Sequence, residues 1–397
     1  MKNRDIIIIG IQAWDIEIGS NCKNIAEVMS HNNRVLYVNT PLDRKTRWAE
    51  RTTQKVQKRI RVLRGKENAV EMISPGLWVL NPATILESIN MIPDGKAFDL
   101  LNRINNKRFA HEIKKAALML GFKDYILFND SSMFLGFYQK ELLMPAHYIY
   151  YMRDNLMQVP FWRKHGLRLE PDLISKADVI VNNSLLFTEY GKKFNDHSYM
   201  VGQGCDIDAY NNDIHEFEIP EELRSLKKPI IGYVGFLSTL RLNIRLIEEL
   251  ARARADWTIV LVGPEDNDFK ASVLHQLANV IFTGPRKPEG LPAYINSFDI
   301  CINPQIINDL TMGNYPRKID EYLSMGKPVI ASTTAAMDYF ADHVYLGATA
   351  DDYISLIEKA LKENSASKIQ KRKSFARSHT WENNVNEIFK SLEMIKK

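Results

Sequence analysis

Short β-branched runs alternate with longer stretches of helical period along almost the whole chain. "DIIIIG" (5–10), "RVLYVNT" (34–40), "KDYILFN" (123–129), "AHYIYYM" (146–152) and "ADVIVNNS" (177–184) read as buried strands. Helical stretches at 20–31, 97–120 and 168–176 separate them. The pattern breaks at "NNDIHEFEIPEELRSLKKP", which is polar and proline-flanked, and then restarts. "IIGYVGF" (230–236), "WTIVLVG" (257–263), "NVIFTG" (279–284), "FDICINP" (298–304) and "KPVIAS" (327–332) are the later strands, with helices near 243–253, 268–277, 289–296 and 317–325.

Strands alternating with helices predict parallel sheets with crossover helices, hence an α/β class. The expected architecture is two Rossmann-like doubly wound domains facing a cleft. They span residues 1–210 and 229–375, with a linker at 211–228 and a C-terminal helix at 376–397 packing back towards the first domain. Ligands of such domains bind beyond the carboxyl ends of the strands. Three strands of the second half end in "VLVGP", "FTGP" and "CINP". Each is ordinary turn chemistry alone, but together they suit backbone N–H groups approaching a nucleotide.

Composition narrows the class without changing it. A chain of 397 residues exceeds one ordinary core, and 45% apolar with 25% charged residues is usual for a globular protein. Cys22, Cys205 and Cys301 are odd in number and far apart, which suits a reducing cytoplasm better than a disulfide framework or zinc site. No apolar run approaches the ~18 residues of a membrane span. "MKNRDIIIIG" is too short for a signal core and reads as a first strand. "G-x-x-x-x-G-K-[ST]" and "G-x-G-x-x-G" are absent, so a P-loop ATPase or NAD enzyme has no support.

One stretch asks for a ligand. In "YPRKIDEYLSMGKPVIAS" (315–332), Pro316 suits the first turn of a helix, and Lys318 and Glu321 fall one turn apart near its head. A lysine there favours a diphosphate, and a carboxylate suits the vicinal hydroxyls of a ribose. A plain surface Lys–Glu pair fits the same spacing.

This stretch resembles the P-x-K-x-x-E-Y-L-x-x-G-K-P-V signature of bacterial family 4-type glycosyltransferases of the two-Rossmann (GT-B) fold. "IGYVGFLSTLRLNIRLIEELARARADWTIVLVGP" (231–264) and "FTGPRKPEGLPAYINSFDICINPQ" (282–305) resemble its nucleotide domain, and "ADVIVNNS" and "VGQGCDI" (201–207) its first domain. The resemblance implies that Glu321 binds the ribose, Lys318 and Arg241 the diphosphate, and Pro285 and Arg286 the base. Asp309, with Thr311 in the same loop, would meet the donor sugar, and Gly19 and Ser20 would face it from the first domain. Many retaining members carry a second Glu eight residues ahead of the ribose-binding one, where this chain has Gly313. Asp309 is the nearby acid, at a different spacing. The signature resembles mainly retaining enzymes, which tilts the expectation to retention, though inversion stays open.

"DID" (206–208) fits the D-x-D of metal-dependent transferases, but it follows the Gly-rich turn already matched, so no metal and no cofactor are expected. "YYMRDN" (150–155) puts Asp154 just past a strand, as a candidate base for an acceptor hydroxyl; capping or pairing with Arg153 is the simpler role. His111 reads as a packed or solvated histidine.

The formal charge is +4, yet residues 44–66 hold ten Lys/Arg against Glu50. Trp48, Val56, Ile60 and Leu63 can share one side of this segment, with Lys55, Lys58, Arg59 and Arg61 around them. Basic amphipathic segments with a tryptophan suit an anionic membrane surface, and no nucleic-acid motif accompanies the charge. The expected protein is a metal-independent glycosyltransferase at the inner face of the cell membrane. It would move a sugar from a nucleotide diphosphate to a lipid-linked or other saccharide in polysaccharide synthesis. A sugar-nucleotide epimerase, or a non-catalytic subunit of an assembly complex, are the alternatives.

Overall fold

The computed structural model describes residues 1–15, 20–308, 311, 313 and 315–395. They form two compact units, Met1–Gly202 with Asn384–Lys397, and Gln203–Asn383.

In the first unit the strands are β1 (Asp5–Ile9), β2 (Arg34–Val38), β3 (Val70–Ser74), β4 (Leu77–Leu80), β5 (Ile126–Asp130), β6 (His147–Met152), β7 (Val179–Asn182) and β8 (Ser198–Met200). Their order in the sheet is β8-β7-β6-β5-β1-β2-β4-β3. Only β3 and β4 pair antiparallel within this sheet, among the described residues. Ile6 to Ile9 are at most 1% exposed because helices cover both faces. Burying each such side chain favours folding by roughly 1.5–3 kcal/mol. The helices include α1 (Asn21–Ser30), α2 (Arg44–Ala49), α3 (Gln54–Leu63), α4 (Lys96–Met119), α5 (Pro160–Lys176) and α6 (Leu185–Lys192). The β3–β4 hairpin was not among the expected strands. No residue of its outer strand is buried, so alternation is weak there, and its turn at Gly76 (φ +81°) is the clearer sign.

The second unit holds β9 (Ile230–Val234), β10 (Thr258–Val262), β11 (Val280–Gly284), β12 (Ile300–Asn303), β13 (Val329–Ser332) and β14 (Tyr345–Gly347). The sheet order is β11-β10-β9-β12-β13-β14, parallel throughout. This is the doubly wound 3-2-1-4-5-6 arrangement, and its order reverses between β9 and β12. α7 (Ile244–Ala253), α8 (Leu291–Ser297), α9 (Lys318–Ser324), α10 (Ala350–Glu363) and α11 (Ala366–Ala376) pack around it. The helix expected at 268–277 is instead a four-residue helix, Asn267–Lys270, and a 3₁₀ turn, Val273–Gln276, because Ser272 takes an extended conformation between them.

The division into units falls after Gly202, ahead of the expected linker. Cys205, Ile207, Tyr210 and Leu223 all enter the core of the second unit with Ile230 and Tyr322. Apolar burial therefore ties residues 203–228 to that unit. α12 (Trp381–Met394) starts in the second unit, and from Asn384 on it belongs to the first. There Asn384 Nδ2 donates to the carbonyls of Val201 (3.0 Å) and Gly202 (2.9 Å).

Candidate functional site

The carboxyl ends of β9 and β12 mark the reversal point of the second unit. Gly235 follows β9 at φ +142°, and a Cβ there would lie 2.9 Å from Lys318 Nζ. Gly263 follows β10 at φ +143°, and its Cβ would come 2.0 Å from the Gly235 carbonyl oxygen. Only glycine fits either place, and the result is a backbone loop pressed close to a lysine. Lys318 Nζ donates to Tyr233 Oη and stands 4.0 Å from the centre of that ring. The ring is 2% exposed, so the ammonium rests on a fixed apolar platform. α9 is two turns long, so the Lys318 charge must carry most of any attraction for an anion.

Lys318 and Glu321 do not pair with each other. Glu321 Oε1 lies 3.3 Å from Arg317 Nε, one turn earlier, and the carboxylate is buried. Burial raises its pKa, while the Arg317 and Lys318 charges oppose the rise. The neighbouring acid is fully committed elsewhere. Asp320 receives a hydrogen bond from Tyr315 Oη (2.8 Å) and lies 2.6 Å from His379 Nδ1. Asp320 thus serves the core, and Glu321 keeps one oxygen for another partner.

The loops after β9 and β12 are tied together. Ile306 N donates to the Arg241 carbonyl (2.9 Å), and Asn243 N to the Pro304 carbonyl (2.8 Å). Arg241 is exposed and makes no ion pair among the described residues. Phe236, Leu240 and Ile307 expose 54, 69 and 56% of their surface on the same loops. Thr311 is fully buried, and its hydroxyl bonds the Ile306 carbonyl. Gly313 is buried in a turn, whereas Asp309 lies outside the described residues. Pro285 and Arg286 follow the edge strand β11. Arg286 donates to Glu222 (2.8 Å) and Tyr294 (2.5 Å), and Tyr294 Oη donates to Glu222 (2.5 Å). The Tyr294 and Arg286 hydrogen bonds hold Glu222 at a pKa of about 2. The Arg286 cation is therefore already balanced.

In the first unit the strand order reverses between β1 and β5. Ser20, just ahead of α1, is 2% exposed, and its hydroxyl neither caps the helix nor finds another partner among the described residues. Gly19 lies outside the described residues. At the end of β5, Asp130 is fully buried and accepts from Arg153 Nε (3.0 Å). Arg153 also donates to Asp154 (3.0 Å), which is 43% exposed. Burial works against the Arg153 charge, but Asp130 and Asp154 outweigh it and raise its pKa. Ser131, next in the chain, holds φ +52°, and its Oγ donates to the Tyr151 carbonyl (2.7 Å). A non-glycine residue there costs about 1–3 kcal/mol, a strain that tends to gather at working sites.

The basic segment is not one amphipathic helix. It forms α2 and α3, broken at 50–53, and Val56 and Val62 face the core. Arg59 corrects the expected lipid patch: it is 7% exposed and bidentate to Asp15 (3.0 and 3.1 Å). Lys58 pairs with Glu71 (2.9 Å) and Arg61 with Glu67 (2.5 Å). Trp48, at 72% exposure, and Lys55 remain on the surface. Among the described residues no group of three His, Cys, Asp or Glu side chains is arranged to hold a metal, and no helix is long and apolar enough to cross a membrane.

Sequence reasoning missed Tyr233, Arg317, Asp130 and Ser131. Only Arg317 left a sign, its i,i+4 spacing to Glu321. The others are placed by strand neighbours distant in sequence.

Residues 228–363 match the family described as glycosyl transferases group 1. The chain is 28% identical over 251 residues to the putative teichuronic acid biosynthesis glycosyltransferase TuaH of Bacillus subtilis, covering 60% of this chain and 62% of that protein. The alignment thus spans less than two thirds of the relative. Among solved structures, sucrose-phosphate synthase from Thermosynechococcus elongatus superposes with a TM-score of 0.68 at 14% identity, covering 99% of each chain. Anabaena Alr3699/HepE in complex with UDP gives 0.67 at 14% identity, covering 98% of this chain and all of that one. These likenesses establish the GT-B fold.

Proposed function

We propose that this chain, whose residues 228–363 carry the group 1 glycosyltransferase match, moves a sugar from a nucleoside diphosphate donor to a saccharide acceptor. The observation that carries the reading is the pairing at the head of α9: an ammonium seated on Tyr233, and a buried carboxylate one turn on with an oxygen to spare. Lys318 and Arg241 would hold the diphosphate, and Glu321 the ribose hydroxyls. TuaH is named a putative teichuronic acid biosynthesis glycosyltransferase, and the HepE structure is a complex with UDP, which supports a polysaccharide setting and a sugar-nucleotide donor.

In the transfer, an acceptor hydroxyl attacks the anomeric carbon as its bond to the diphosphate oxygen breaks. The two cations would stabilise the leaving diphosphate. If the transfer inverts, Asp154 is our candidate to receive the hydroxyl proton; in the retaining transfer the departing diphosphate takes that proton, and Asp154, held by Arg153, only positions the acceptor. Our reading favours retention of the anomeric configuration and includes no resident cofactor. We place the enzyme in the cytoplasm, peripheral to the inner face of the membrane, with a lipid-linked saccharide as acceptor. Trp48 with exposed Lys45, Arg47, Lys55 and Arg64 supports that docking.

Thermal shift with UDP-, GDP- and ADP-glucose tests the donor. One of them should raise the melting temperature, since a ligand of the folded state stabilises it. Sugar release from that nucleotide should then require added membrane extract. No shift with any of the three, in a protein that is folded, would overturn the reading.

A further inference from the structure

Asn303 ends β12 beside β9, where the strand order of the second unit reverses. It is 1% exposed, yet neither its Oδ1 nor its Nδ2 has a hydrogen-bond partner among the described residues. Its carbonyl is engaged, accepting from Gln305 N (2.9 Å) and Tyr353 Oη (3.3 Å). The side chain is left unsatisfied at both ends. Asn129, near the end of β5 in the other unit, shows the usual outcome. Its Nδ2 donates to Tyr148 Oη (2.8 Å), and its Oδ1 accepts from Ser132 N (3.0 Å). Just past the end of the neighbouring strand, Thr334 is 5% exposed and its hydroxyl is also without a partner among the described residues. Buried polar atoms in this state destabilise a fold, and a leucine would fill an apolar strand such as "ICIN" better.

Both atoms of a carboxamide being open restricts the ligand. Phosphate oxygens only accept, and would set Oδ1 against a negative charge. A sugar hydroxyl both donates and accepts, and can meet both atoms. We infer that Asn303 binds a hydroxyl of the transferred sugar and so helps select it. The inference rests on the donor reading given above, in which cations take the diphosphate and Glu321 takes the ribose.

Calorimetry of wild type, Asn303→Ala and Asn303→Leu with UDP, GDP and ADP, each with and without glucose attached, tests it. For the nucleotide that wild type binds, both variants should lose about tenfold in affinity for the glucose-bearing form. The bare diphosphate should change less than about twofold, and the unliganded melting temperature should hold or rise. Equal losses for both forms would move the contact to the nucleotide and overturn the inference. So would unchanged binding with a lowered melting temperature, which would assign Asn303 to a buried water, and so would failure of both variants to fold. Wild type that binds none of the six would instead overturn the donor reading, and this inference with it.

Discussion

Tyr150 Oη donates a 3.0 Å hydrogen bond to Glu170 Oε1 inside the first unit, where neither residue reaches solvent appreciably. Burial pushes the Glu170 carboxyl up to about 7, against the hydrogen bonds of Tyr150 and Tyr190. With the folded value above the unfolded one, its favourable contribution is full below the unfolded pKa of about 4.3 and is lost as pH rises to about 7. Glu170→Gln should therefore gain on wild type across that window, by up to roughly 3 kcal/mol above it. Denaturant unfolding at pH 4.5 and pH 8 checks this; equal differences at both would refute it.

Lys318→Ala should weaken nucleoside diphosphate and pyrophosphate alike, by roughly tenfold to a hundredfold, as a charge-assisted contact of about 1.5–3 kcal/mol is lost. Glu321→Ala should weaken only the nucleoside diphosphate. Tyr233→Phe keeps the ring under the ammonium and removes one neutral bond, so about twofold to tenfold is expected. Calorimetry with both ligands ranks the three variants, and an equal loss for pyrophosphate in the Glu321 variant would remove the ribose assignment.

Asp154→Asn should lower turnover by about 10²–10⁴-fold with donor affinity little changed, if the carboxylate takes the acceptor proton. The product's anomeric configuration, read by NMR, separates the cases: inversion goes with Asp154 as the base, whereas the retention our reading favours leaves the proton to the diphosphate, and retention with a severely inactive Asn variant would mean that Asp154 acts by another route. Asp130→Asn should act on stability instead. It leaves the buried Arg153 facing a neutral amide in place of a carboxylate, at a cost of roughly 3 kcal/mol or more, which urea unfolding would detect.

Liposome co-sedimentation should fall steeply with salt, because exposed charges are screened within about 8–10 Å. Replacing Lys45, Arg47, Lys55 and Arg64 by Gln should release the protein while donor binding persists. Arg59→Gln should leave lipid binding unchanged and lower stability, since Asp15 loses its bidentate partner. Sedimentation of the fourfold variant at the wild-type level would make the segment a solvated face.

Periodicity and local chemistry in the sequence were enough for the alternating strands, the α/β class, the glycine-bearing strand ends and the Lys318/Glu321 spacing. Each depends on neighbours a few residues apart, which is the range over which backbone geometry acts. Tertiary structure decided which charges are available. Arg59 and Arg286 look like free cations in the sequence, but Asp15 and Glu222, brought from distant segments, neutralise them. Asp320 and Glu321 are adjacent acids that only His379 and Tyr315, on one side, and Arg317, on the other, set apart. Asn303 reads as the polar end of a strand until packing buries it with both side-chain atoms unpaired among the described residues. Whether a polar group is satisfied depends on what the fold brings within 3.5 Å of it, and no local pattern encodes that distance.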